Sequence, residues 1–238
     1  MSRYPMVLSL CALATASVLY AGTVSATSLN LRHEYNKDSH ASKDRFRIDH
    51  RFHNGVGIYV EAKYAHNDNS SLDDTRSNGH EAGVSYDWKY SKKFTVQPGF
   101  IMDSSSSAVT YKEQVKGTYK FTKNFSSALR YRYGLKVYSS NDRGDEPYHQ
   151  FNWTGNYSFS WGKLGYDFEF KKYQDHVDSH WKGKSTDHLI NLTGEYDKFE
   201  SGWIPFWEVG MVTGKSNSSK KYNDEHQLRL RLGVKYNF

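Results

Sequence analysis

Beyond residue 27 apolar side chains recur at every second position and almost nowhere at the 3.6-residue spacing of a helix. The last segment shows it most clearly. Leu228, Leu230, Leu232, Val234, Tyr236 and Phe238 share one face, and Gln227, Arg229, Arg231, Gly233, Lys235 and Asn237 share the other. A strand turns successive side chains to opposite sides, so this segment has one oily face and one wet, basic face. The same division separates Phe46, Ile48 and Phe52 from Arg45, Arg47, Asp49 and Arg51. It returns in Phe125, Leu129, Tyr131, Tyr133, Leu135 and Val137 against Ser126, Arg130, Arg132 and Lys136. The pattern predicts about twelve strands, near residues 28–35, 44–52, 57–65, 80–90, 94–102, 109–121, 125–138, 148–159, 163–173, 187–196, 203–212 and 225–238. Short turns at 91–93, 122–124 and 160–162 take turns with longer polar loops at 66–77, 174–186 and 213–223. A membrane barrel has this rhythm, with tight periplasmic turns on one rim and longer loops on the other.

Composition sharpens the choice. A mean hydropathy of -0.82 is too polar for a large core, yet 16% aromatic residues is too many for a disordered chain. A water-filled tube reconciles the two, because half of every strand then faces water inside. A soluble exported β-sandwich would also alternate. Two features oppose it. Trp88, Tyr90, Phe94, Phe125, Phe159 and Trp203 cluster at strand ends on the apolar face, as in the aromatic girdles of membrane barrels. Phe238 ends the last strand on that same face, and it resembles the signal by which the barrel-assembly machinery recognises its clients. The expected fold is therefore all-β, a 12-stranded antiparallel transmembrane β-barrel of the bacterial outer membrane, surrounded by lipid and lipopolysaccharide. Twelve strands tilted about 40° make a cylinder roughly 24 Å across, which inward side chains narrow to a pore of about 10 Å or less. An extended sugar chain fits such a pore and a folded protein does not.

The N-terminus reads as a cleavable secretory signal: Arg3, an apolar run from Val7 to Ala21, then small residues at Val24 and Ala26. Residues 1–26 are expected to be removed, leaving 27–238 as a single barrel. The apolar run falls short of the roughly 20 residues that span a bilayer as a helix. Cys11 lies inside the leader, so the remainder needs no disulfide. Lipoprotein cleavage at Cys11 is disfavoured by Leu10, where a small residue belongs. With 32 Lys+Arg against 26 Asp+Glu the net charge is +6, a mild bias and not the density of a nucleic-acid arm.

Strand parity points Arg32, Arg45, Arg47, Arg51, Lys63, Lys89, Lys116, Lys120, Arg130, Arg132, Lys136, Lys171, Arg229, Arg231 and Lys235 into the lumen. It sends Glu34, Asp49, Glu61, Glu81, Asp87, Asp167, Glu169, Glu195 and Glu208 there too. In a closed ring of twelve, strands 12, 1 and 2 are neighbours and strand 7 stands across from strand 1. Arg32, Arg45, Arg47, Arg51, Arg229 and Arg231 would then face Arg130 and Arg132 over the pore, with most carboxylates between the two walls. A guanidinium keeps its charge and meets a carboxylate bidentately, so facing rows could hand an anion from one partner to the next. Charged rings of this kind set the sign selectivity of pores. The alternative is that these arginines pair with lumen carboxylates and fill the barrel. Loop lysines 182, 184, 215, 220 and 221 are expected to meet lipopolysaccharide phosphates or nothing specific.

Phe94-Thr95-Val96-Gln97-Pro98-Gly99, Leu129-Arg130-Tyr131-Arg132-Tyr133, Pro205-Phe206-Trp207-Glu208 and the Leu-Arg-Leu-Gly-Val ending before a terminal aromatic carry a family resemblance. Their order and spacing resemble the oligogalacturonate-specific monomeric porins, the KdgM-type channels, which include a sialic-acid channel. The resemblance implies a monomeric twelve-stranded barrel of Gram-negative bacteria whose lumen arginines guide acidic oligosaccharides, oligogalacturonates from pectin foremost. Another acidic sugar such as sialic acid is the alternative.

Enzymatic barrels form the other class. Arg76-Ser77-Asn78-Gly79 resembles part of the outer-membrane phospholipase signature, but Thr75 stands where its histidine belongs, and a nucleophile would lack its base. Asp73-Asp74 and Asp175-His176 resemble the paired carboxylate and the Asp/His group of outer-membrane proteases, without the long strand extensions of that family. No catalytic residue, cofactor or metal is expected. The histidines have no close metal-ligand spacing, and His33, His50 and His188 are expected at the outer surface.

Overall fold

A computed structural model describes residues 26–66, 75–140, 144–174, 185–213 and 226–238. The loop residues Asp73, Asp74, Asp175, His176, Lys182, Lys184, Lys215, Lys220 and Lys221 lie outside the described residues, as do residues 1–25, Arg3 and Cys11 among them. The strands are β1 (Ala26–Asn36), β2 (Ala41–Arg51), β3 (Val56–His66), β4 (Arg76–Tyr86, resumed after Asp87 by Trp88–Lys89), β5 (Phe94–Ser104) and β6 (Ala108–Lys120). The second half holds β7 (Phe125–Tyr138), β8 (Glu146–Ser158), β9 (Gly162–Tyr173), β10 (Thr186–Tyr196), β11 (Trp203–Thr213) and β12 (His226–Asn237). Every strand pairs antiparallel with its sequence neighbours, and β1 pairs with β12 from Ser28 opposite Asn237 to Asn36 opposite Arg229. The ring is a closed twelve-stranded barrel. Closure matters because lipid offers no partner to an unpaired backbone group, and only a ring of strands leaves no edge. The Phe238 N–H seals the seam by donating to the Thr27 carbonyl at 2.9 Å.

Burial is inverted relative to a soluble protein. Leu129 is 67% exposed and Leu232 66%, while Gln150 and Asn152 are each 2% exposed. Apolar rows therefore face outward and polar rows pack inside. Aromatic pairs gather at one rim: Trp203 with Tyr236 and Tyr236 with Phe238 at 4.9 Å, Tyr119 with Phe121 at 4.9 Å, and Tyr157 with Phe159 at 4.7 Å between centroids. Rings with an apolar body and a polar edge suit the membrane interface. Each such pair adds about 0.5–1.5 kcal/mol beyond its burial.

Several boundaries depart from expectation for physical reasons. β4 begins at Arg76 and not near residue 80, because its register slips: Lys63 pairs with Gly79 but Tyr64 with Ser77. Asn78 is the extra residue of a bulge, Gly79 takes φ +107°, and alternation is lost there. β2 begins at Ala41, ahead of the predicted 44, where Asp44 interrupts the apolar row. Connections on the long-loop rim also include two short ones, 37–40 and 105–107.

Candidate pore lining

The inward rows of β12, β1 and β2 form one basic arc, threaded with carboxylates. Arg231 bridges Glu34 at 2.7 Å and Glu208 at 2.8 Å. Arg45 lies 3.5 Å from Glu61 and donates to Asn30 at 3.0 Å. Arg47 pairs with Asp49, reaches Glu61 at 3.7 Å and covers the Tyr59 ring at 3.7 Å from its centroid. Arg51 pairs with Asp87 at 3.1 Å and donates to the Gly55 carbonyl at 2.8 Å, which holds the 52–55 turn. Arg32 comes only within 4.0 Å of Glu34, and its buried Nε makes no hydrogen bond. Arg229 donates to Asn191 at 2.9 Å and meets no carboxylate among the described residues.

β7 stands six strands from β1 either way round the ring. Arg132 donates to Gln114 at 2.8 and 3.2 Å and to Gln150 at 3.5 Å, and Arg130 donates to Asn152 at 3.3 Å. Among the described residues, the hydrogen-bond partners of both are neutral amides. Lys136 lies 3.8 Å from Glu146 and donates to the Tyr138 hydroxyl at 2.7 Å. Lys63 joins a compact quartet: it lies 2.9 Å from Asp103 and 3.5 Å from Glu81, while Lys112 bonds both carboxylates at 2.8 Å. The Tyr59 hydroxyl donates to Glu81 at 2.6 Å.

A cavity of about 550 Å³ opens inside the barrel between these groups. It brings together Arg32, Arg45, Arg229 and Arg231 with Lys63 and Lys136. Arg47, Arg51, Arg130 and Arg132 line the wall elsewhere. Eight basic residues and five acidic ones border the cavity, so it is net positive.

Most inward carboxylates lie on β3, β4, β9, β10 and β11, as parity places them, yet Glu61 and Glu208 reach the first basic wall and bond its arginines, as Glu34 and Asp49 do within it. Parity also left out Lys112, Asp103 and Glu146. Lys112 follows the same inward row as Lys116, so its signal was present in the spacing. Glu113 beside it faces outward and blurs the alternation. The amides Gln114, Gln150, Asn152 and Asn191 carry no charge to draw notice. On the outer surface His33 shares a hydrogen bond with Asp44 at 2.7 Å, and His66 reaches the other oxygen of Asp44 at 2.6 Å. His188 is half-buried beside Phe170. His50, expected at the surface, is only 3% exposed, because Phe52 packs on its ring at 4.4 Å and Thr27 bonds its Nδ1 at 2.8 Å.

A closed ring with an apolar belt, an aromatic rim and a charged, hollow interior is the build of a channel-forming barrel. The chain belongs to the family described as oligogalacturonate-specific porin protein (KdgM), whose model matches residues 20–238. It is 33% identical over 252 aligned positions to the oligogalacturonate-specific porin KdgM of Dickeya dadantii, covering 98% of this chain and 100% of that protein. A solved KdgM porin in complex with disordered oligogalacturonate superposes with a TM-score of 0.66 at 30% identity, over 89% of this chain and 99% of that one. The NanC porin shares the fold at a TM-score of 0.75 and 21% identity, over 88% and 100% of the two chains. In sequence, the N-acetylneuraminic acid outer membrane channel NanC of Escherichia coli K12 is 28% identical over 49% of this chain and 50% of its own. These relatives are porins and channels, not enzymes, and the protein is an outer-membrane porin.

Proposed function

We propose that the barrel is a passive, anion-selective channel for acidic oligosaccharides, with oligogalacturonates as its main cargo. The observation that carries this reading is the net-positive lumen cavity, bordered by Arg32, Arg45, Arg229 and Arg231, by Lys63 in register beside Arg45, and by Lys136 of β7. A uronate chain bears one carboxylate per sugar. Residues i and i+2 on a strand tilted about 40° are separated by roughly 5 Å along the axis, so Arg130 and Arg132 offer successive steps to such a chain. Arg47 and Arg51 continue the opposite wall. The full-length match to an oligogalacturonate-specific porin supports this cargo over sialic acid.

The same reading includes removal of residues 1–26 as a signal, a single monomeric barrel from 27 to 238, lipopolysaccharide around its outer rim, and Phe238 as the mark read by the assembly machinery. Phe238 suits that role because it is 75% exposed at the end of the lipid-facing row.

Block of single-channel conductance tests the cargo. The refolded protein in a planar bilayer should be blocked by galacturonate oligomers at concentrations where neutral maltodextrins of equal length have no effect. Equal block by both would overturn acidic-sugar selectivity, and stronger block by sialic acid would reassign the cargo.

A further inference from the structure

We propose that Gln150 and Asn152 on β8 are positioning residues that set the selectivity of the pore, by keeping Arg130 and Arg132 apart from the carboxylates of β9. The inference rests on the reading of the barrel as a channel for acidic sugars. Across the three strands Arg130 pairs with Asn152 and Asn152 with Glu169, while Arg132 pairs with Gln150. An amide thus stands between each arginine and Glu169, in register at Asn152 and diagonally at Gln150, whose own register partner on β9 is Lys171.

The bonds run the whole way across. Gln150 donates through Nε2 to Glu169 at 2.8 Å and to Asn152 Oδ1 at 2.8 Å. Asn152 donates through Nδ2 to Glu169 at 2.9 Å and to Asp167 at 3.4 Å. Their carbonyl oxygens accept from Arg132 at 3.5 Å and Arg130 at 3.3 Å. Only one orientation of each amide satisfies both sides, since a guanidinium accepts nothing and a carboxylate donates nothing. At 2% exposure apiece the two amides are held in that orientation by packing.

The spacer is needed because an inward arginine can reach two strands away. Arg229 of β12 does so, crossing Gly210 of β11 to bond Asn191 of β10. Where the middle strand presents a side chain with a carbonyl, the guanidinium stops there. The amide satisfies part of its hydrogen bonding and none of its charge, which stays open to a carboxylate in the pore. Arg231, in direct contact with Glu34 and Glu208, is the opposite case.

A charge-conserving swap tests this. Asn152→Asp with Glu169→Gln moves one carboxylate a single strand closer to the arginines and leaves the net charge of the lumen unchanged. The swap should weaken block by trigalacturonate roughly tenfold, equivalent to about 1.4 kcal/mol, and lower the chloride preference in the reversal potential. Asn156→Asp with Glu169→Gln, which places the charge on the same inward row away from both arginines, should change each far less. If the Asn152 swap fails to fold, Gln150→Glu with Glu169→Gln makes the same test against Arg132. Block and reversal potential at wild-type values in a folded swap, or equal losses in the Asn156 control, would overturn the spacer role. A wild-type channel with no anion preference and no block would instead overturn the acidic-sugar reading on which it rests.

Discussion

Arg231 and Arg130 are the same residue type on inward rows, and their surroundings give them different work. Arg231 is clamped between two carboxylates, with side-chain exposures of 15% for the arginine and 8% and 19% for Glu34 and Glu208. Removing it leaves two shielded negative charges close together, and breaking such a pair costs more than the pair itself contributes. Arg130 leaves behind only the Asn152 carbonyl, which still accepts from Gln150 at 2.8 Å. Arg231→Gln should therefore lose roughly 2 kcal/mol of stability more than Arg130→Gln, allowing for screening by pore water. Urea unfolding of the protein refolded into lipid vesicles gives the comparison. Equal losses would mean that Arg130 is also a structural partner.

At the scale of the strand, two-faced patterning made the element order readable from the sequence. Twelve strands in the right order follow from alternation alone, since one face of each meets lipid and the other meets water. Legibility failed where that contrast breaks down. On β6 the run Tyr111, Lys112, Glu113, Gln114 puts a charge on both faces, which hides Lys112, the anchor of the quartet it forms with Lys63, Glu81 and Asp103. At the start of β2, Asp44 sits on the outward row because His33 and His66 satisfy it, and the strand looked three residues too short. At Asn78 the bulge shifts parity itself. The assignment of faces has a direct thermodynamic consequence. Leu232→Arg, on the lipid-facing row of β12, should cost about 2–4 kcal/mol of folding free energy in vesicles, whereas arginine at lumen position Asn156 should cost far less. Similar costs at both positions would contradict the division into lipid and pore faces.

For the whole molecule, closure of β1 on β12 turns scattered basic positions into a lined tube. Which residues point inward was largely readable from parity. Which of them have that charge neutralised by a partner was not, because that depends on the register of neighbouring strands: Arg231 meets Glu208 and Glu34, and Arg130 meets Asn152, only once the strands are aligned. The central claim is that arginines without carboxylate partners make the tube attractive to anions. The reversal potential across a planar bilayer under a salt gradient, measured for the wild type and for Arg130→Glu with Arg132→Glu, tests it most directly. The account predicts chloride preference in the wild type and loss of most of it in the double variant, with little change for Lys182→Glu and Lys184→Glu in the outer loop. A wild type without anion preference, or a double variant that keeps it in full, would contradict the account.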